Sequence, residues 1–309
     1  MIYLHFPKVV LLLAVSFLSL ANRSIASDGP FETELQFRTY LKTSLSETHI
    51  DQSRKSEFEK HSLAFWTENR FAYRQDPKRF QSLLELYRQA QILYRDSSDN
   101  DIERFKGSIE QFQRFDARNT LPTAPVLFVG SSSIVYWETA TAFPDLPVVN
   151  RGFGGARFTD VNHYYAQIVQ KYLPTAIVLY CDVDVEDGKS PAAVLQYFKE
   201  FAARVGQDLP ETQILFLSMK PTLIDDFLGA DVSKNKAIAN RFLKAFADST
   251  KNIHFVDVTT PMLQPDGRVK PAIFREDGEH LNLQGYELWN PIVRQALYQL
   301  LKQTPKPNS

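Results

Sequence analysis

The sequence predicts an α/β fold, a doubly wound sheet of about five parallel strands preceded by a helical extension. Three observations predict it. Short apolar runs recur from Pro125 onward, longer helical patterns separate them, and the stretch before Phe115 shows no strand-like alternation. Strand alternating with helix is the pattern of a parallel sheet covered on both faces. Ligands of such open sheets sit outside the carboxyl ends of the strands, so the residues that directly follow each strand become the candidates for function.

At the start of the chain, Lys8 precedes an apolar run over residues 9–20, and Ser24, Ile25 and Ala26 set small residues at a spacing suited to cleavage. This is the pattern of a secretory signal peptide over residues 1–26, with export to a periplasmic or extracellular space. The run falls short of the roughly 20 apolar residues that span a bilayer, so no stable membrane insertion is expected once the signal is removed. Residues 27–100 read as helices. Phe58, Leu63, Phe65 and Trp66, and then Phe80, Leu83, Leu84, Leu86 and Tyr87, fall close to the i, i+3, i+4, i+7 spacing of amphipathic core faces. Pro77 sits near a helix start, and Ser97-Ser98-Asp99-Asn100 is a turn-type cluster before the next helix.

The α/β unit is expected over residues 101–303, leaving 304–309 as a tail. Its strands are read at 126–129, 148–149, 176–180, 213–217 and 253–256. Helical segments follow at about 158–172, 191–205, 232–248 and 283–301.

With 309 residues, 44% apolar and 23% charged, the chain has the makeup of a folded protein with a substantial core. A net charge of −1 and no run of Lys and Arg give no electrostatic footprint for nucleic acid or an anionic surface. The single cysteine, Cys181, excludes an intramolecular disulfide and reads as a small buried hydrophobe at the end of a strand. Metal-ligand clusters at the needed spacing, a G-x-G-x-x-G fingerprint and a P-loop lysine motif are all missing, so no metal or cofactor is expected.

The first strand runs into Gly130-Ser131-Ser132-Ser133-Ile134. A serine at a strand-to-helix turn gains an exposed hydroxyl beside unpaired backbone N–H groups, which an acyl-transfer nucleophile needs, although the same string suits an ordinary capped turn. The second strand runs into Asn150-Arg151-Gly152-Phe153-Gly154-Gly155-Ala156, with three of only 12 glycines. Such a cluster allows close backbone approach to a ligand, or simply a tight turn. A serine nucleophile needs a base, and there are six histidines. His5 leaves with the signal, His49 and His61 lie in the helical extension, His163 falls inside a helix, and His254 begins a strand at the wrong edge. His280 lies beyond the last strand and before the final helix. Asp277, three residues earlier, can orient its imidazole; Asp257, which ends the strand itself, is the rival acid.

Together these blocks, in this order, make residues 104–297, nearly two thirds of the chain, resemble SGNH (GDSL-type) hydrolases. The likeness is to the subgroup whose nucleophile block reads phenylalanine, one residue, then GSSSI and a nearby tryptophan, here Phe128 to Ile134 with Trp137. Gly285-Tyr286 with Trp289, and Lys220-Pro221 after the fourth strand, are similar as well. The resemblance implies a flavodoxin-like sheet, Ser132 as nucleophile and Asp277 and His280 as its triad partners. It also implies an oxyanion hole built from the N–H groups of Ser132 and Gly155. One block departs: Tyr180-Cys181-Asp182-Val183-Asp184 is one residue shorter than the family's Tyr-Ala-Gly-Asp-Asn-Asp, and Val183 stands where the family has a donating asparagine. The expected activity is hydrolysis of small esters, such as O-acetyl groups on carbohydrate, with no metal or cofactor. The alternative is a catalytically silent binding protein that keeps the cleft.

Overall fold

A computed structural model describes residues 33–95, 102–229 and 231–303. The signal-peptide reading, the Ser97 to Asn100 turn cluster and the tail lie outside the described residues. Three long helices come first: α1 (Glu34–Leu45), α2 (Gln52–Gln75) and α3 (Pro77–Arg95). Each starts where a local donor or acceptor is supplied. Thr33 and Gln36 form a capping box, Asp51 accepts from the Arg54 N–H at 2.9 Å, and Pro77 opens α3, where its missing N–H costs nothing. Their apolar stripes meet in a core of Phe37, Phe58, Phe65, Trp66, Phe80 and Tyr87. Leu63, part of the same stripe in sequence, is exposed instead.

A fourth helix, α4 (Lys106–Asp116), leads to a sheet of five strands: β1 (Val126–Gly130), β2 (Val148–Gly152), β3 (Ala176–Tyr180), β4 (Gln213–Leu217) and β5 (Ile253–Val256). All neighbours pair in parallel, in the order β2-β1-β3-β4-β5. The central strands β1, β3 and β4 are buried on both faces, as a doubly wound sheet requires, while the edge strands β2 and β5 are buried in part. Leu127, Val129, Ile177, Leu179 and Phe216 face one core, and Val126, Phe128, Val178, Tyr180 and Leu215 face the other.

Short helices follow β1 and β2: α5 (Ser132–Val135), α6 (Thr139–Ala142), α7 (Phe158–His163) and α8 (Tyr165–Ile168). The single helix expected over 158–172 is thus divided into α7, α8 and a 3-10 turn, Gln170–Tyr172. After β3 come α9 (Val183–Glu186) and α10 (Pro191–Asp208), the latter capped by Ser190. After β4 come α11 (Asp225–Leu228) and α12 (Val232–Asp248), and α13 (Leu283–Gln303) closes the described chain. Ile109 of α4, Val161 of α7, Phe198 of α10 and Leu243 of α12 fill the first core, while Trp289, Val293 and Leu297 of α13 fill the second.

The segment around α11 joins the two parts of the chain. Ile224 and Phe227 insert into the core of the N-terminal helices, where the Phe227 ring stacks on Trp66 with centroids 4.6 Å apart. Among the described residues no helix is long and apolar enough to cross a membrane.

The sheet leaves no room at the end of β1. Gly130 has φ +137°, and a Cβ built on it would lie 1.8 Å from the Tyr180 carbonyl oxygen. Gly130→Ala is therefore expected to push β1 from β3 and to destabilise the fold by about 3 kcal/mol, the upper end for overpacking, in a chemical denaturation titration. A stability equal to that of the parent chain would contradict the close packing.

Candidate active site

In the register of the sheet, Gly130 lies between Gly152 of β2 and Tyr180 of β3, so three strand ends open side by side. The chain leaves β1 for β2 on one side and returns to β3 on the other, which makes this the switch point where such sheets bind ligands. Ser131 donates its N–H to the Tyr180 carbonyl at 3.0 Å, which turns the chain sharply, and Ser132 becomes the first residue of α5. A first helical residue has no intrahelical acceptor for its N–H. Ser132 is partly exposed, while both neighbours are buried. Ser131 Oγ approaches Asp182 Oδ1 at 3.4 Å, and Ser133 Oγ has no hydrogen-bond partner among the described residues.

His280 Nε2 lies 2.9 Å from Ser132 Oγ. On the far side of the ring, His280 Nδ1 lies 2.9 Å from Asp277 Oδ2. The other carboxylate oxygen, Oδ1, accepts the backbone N–H groups of Glu279 and His280 at 2.8 and 2.9 Å. Burial raises the Asp277 carboxyl, but the His280 ring and these two N–H groups outweigh it and hold the group at about 2. A carboxylate fixed in this way can orient the ring and stabilise its cation. The turn that brings the two together needs Gly278 at φ +74°, and its carbonyl accepts the Leu223 N–H at 2.8 Å. Tyr136 packs edge-on against the His280 ring with centroids 4.9 Å apart, and the Arg275 guanidinium lies 4.0 Å above the Tyr136 ring.

The rival acid, His163 and His254 are engaged elsewhere. Asp257 Oδ1 accepts from the Thr259 and Thr260 N–H groups and its Oδ2 accepts from the Thr260 hydroxyl, so it caps its own turn. His254 Nε2 is 2.9 Å from Gln213 Oε1, and His163 Nε2 is 3.8 Å from Glu103 Oε1.

Gly155 has φ +78°, and the loop carrying it approaches the serine closely: a Cβ added to Gly154 would meet Ser132 Cβ at 3.9 Å. Among the described residues, the N–H groups of Ser132, Gly154 and Gly155 donate to no protein acceptor. Arg104 holds the loop from outside, 3.4 Å from the Gly155 carbonyl and 2.7 Å from Asp160 Oδ2.

Val183, the first residue of α9, brings an aliphatic side chain and no donor. Beneath it lies a buried charge cluster. Asp182 Oδ2 receives Tyr180 Oη at 2.5 Å and Lys220 Nζ at 3.1 Å. Lys236 Nζ donates to Glu186 Oε1 at 2.7 Å and Asp225 Oδ1 at 2.9 Å, and lies 3.8 Å from Asp182. Burial raises the Asp182 carboxyl, yet Lys220 and Lys236 hold it at about 2; burial, then Asp182, push Glu186 up to about 8. Sequence reasoning missed this cluster. Asp182 and Lys220 lie two and three residues past the ends of β3 and β4, within reach of the strand-end rule, but Lys236 sits inside α12, where a lone charge gives no signal.

A model of the GDSL-like lipase/acylhydrolase family matches residues 133–288, half of the chain. The chain belongs to this family. Solved structures agree on the GDSL-like fold. A protein described as a candidate platelet activating factor from Streptococcus pneumonia aligns with a TM-score of 0.58 at 19% identity, over 64% of this chain and 94% of its own. A candidate acylhydrolase from Bacteroides fragilis aligns at 0.54 and 19%, over 67% and 100%. A GDSL-like lipase from Bacteroides thetaiotaomicron aligns at 0.54 and 18%, over 62% and 97%. No curated protein matches the chain.

Proposed function

We propose that this GDSL-like acylhydrolase is a serine esterase that cleaves small esters, O-acetyl groups on carbohydrate among them, through an acyl-enzyme on Ser132. The observation that carries this reading is the continuous chain Ser132 Oγ to His280 to Asp277, with both links at 2.9 Å. Ser132 Oγ attacks the ester carbonyl carbon while His280 Nε2 takes its proton, and Asp277 stabilises the resulting imidazolium. The carbonyl oxygen becomes an oxyanion that the free N–H groups of Ser132 and Gly155 can receive. Collapse breaks the bond to the alcohol, which leaves with the proton from His280; water then repeats the sequence and frees the acid. Residues 1–26, with Lys8 before their apolar run, support export of the chain as part of the same proposal.

A fluorophosphonate probe tests the assignment, because a hydroxyl reacts with it only when a base and an oxyanion pocket activate it. Peptide mapping should place the label on Ser132, with Ser131 and Ser133 as internal controls, and His280→Ala should abolish it. A label on either neighbour sinks the nucleophile assignment, and a folded chain that resists labelling and hydrolysis favours the silent binding protein.

Val183 sets the expected rate. One oxyanion donor is worth about 10²- to 10³-fold in turnover, so hydrolysis of p-nitrophenyl acetate should be slow and should rise on Val183→Asn. The rise is expected to stay near tenfold, because the shortened loop sets the new amide off the ideal position and small misplacements are costly. Unchanged turnover, with Ser132 still labelled, would mean that the pocket already holds a third donor.

A further inference from the structure

A cavity of about 200 Å³ lies in the seam between the N-terminal helices and the α/β unit. Its apolar wall carries Phe58, Trp66, Tyr87 and Tyr94 from α2 and α3 and Phe227 from α11. Its other wall is acidic, with Glu186, Asp187 and Glu279. Pockets for drug-sized ligands run to about 300–1,000 Å³, so this one suits a group of only a few heavy atoms.

The charges on the acidic wall do not balance. Asp187 is paired with Arg157 at 2.5 Å. Behind Glu186, three buried carboxylates, Asp182, Glu186 and Asp225, share two ammonium groups, Lys220 and Lys236. The proton that Glu186 keeps up to about 8 brings that cluster into balance. The uncompensated charge on this wall is Glu279, whose carboxylate has no cationic partner among the described residues. A small organic cation, attracted by the Glu279 carboxylate and by the aromatic rings of the facing wall, answers both features.

We infer that this seam cavity is a binding site for a small organic cation, a substituted ammonium group. The site assigns a role to the N-terminal helices, which supply its aromatic wall. Glu279, which directly precedes His280, belongs to its acidic wall. The inference stands apart from the chemistry at Ser132, because binding requires no turnover.

Calorimetric titration of the full chain with choline, and with its uncharged isostere 3,3-dimethylbutan-1-ol, tests it. The two probes share shape and hydroxyl and differ in charge. Choline should bind about tenfold more tightly than the isostere. Glu279→Gln should weaken choline binding to a similar degree and leave the isostere unchanged. Leu63→Lys, at an exposed position of the same lining, should repel choline without disturbing the core. Melting curves establish that both variants fold. Equal affinity for the two probes, no choline binding, or choline binding indifferent to both variants would each overturn the site.

Discussion

Ser132→Ala is expected to lower turnover of p-nitrophenyl acetate by about 10⁴- to 10⁶-fold, the range seen when a serine nucleophile is removed. The loss should fall on kcat and leave KM nearly unchanged, because the hydroxyl bonds to the carbonyl carbon in the reaction and contributes little to holding the ester beforehand. Stability should be preserved: Ser132 Oγ is partly exposed and bonds to His280 alone among the described side chains. His280→Ala should cost about as much, and the double variant little more, since groups acting as one unit are not additive. A Ser132→Ala protein that retains a tenth of the parent rate would place the chemistry elsewhere.

Lys236→Met is expected to have the largest effect on folding, a loss of about 3–5 kcal/mol in a denaturant titration at neutral pH. The side chain is 2% exposed and stands within 3.8 Å of three carboxylates, so its removal strands Asp182, Glu186 and Asp225 with Lys220 as their remaining buried cation. Methionine fills much of the same volume, which leaves charge as the main difference. The pH dependence has a definite sign. The folded chain keeps a proton on Glu186 up to about 8, whereas an ordinary glutamate loses it near 4.5. Between those values the folded state binds more protons than the unfolded one, so this group makes stability fall as pH rises through the window. Lys236→Met should steepen that fall. A variant as stable as the parent across the window would mean that Lys236 does not compensate the cluster.

The three central strands could be read from the sequence because a strand buried on both faces is a short, continuous apolar run, whereas β2 showed only its Val148-Val149 pair and β5 only a run broken by His254. Periodicity was blind to the breaks at Tyr164 and Val169. Phe158, Val161, Tyr165, Ile168 and Tyr172 keep a helical spacing across both, and every one of them is buried. Ser132 and His280 were legible for another reason: Ser132 lies just past the end of β1, and His280 lies in the segment between the last strand and the final helix, on the edge of the sheet where its geometry gathers side chains. Asp277 and Asp257 could not be separated by that rule. Asp257 is engaged by Thr259 and Thr260, neighbours whose hydrogen bonds no strand pattern reveals. The seam cavity was illegible because Ile224 and Phe227 belong to no periodic pattern in the sequence, and their partners lie more than a hundred residues earlier in the chain.

Cys181 sits at the end of β3 with none of its surface exposed, between the Ser131 turn and the carboxylate cluster, and burial pushes its thiol well above the ordinary value. A reagent in solution meets neither an accessible sulfur nor a thiolate while the sheet is closed. As the chain's only cysteine, it works as a clock for opening of the sheet at the serine turn. The rate at which a thiol reagent consumes it measures how often that part of the molecule comes apart under native conditions.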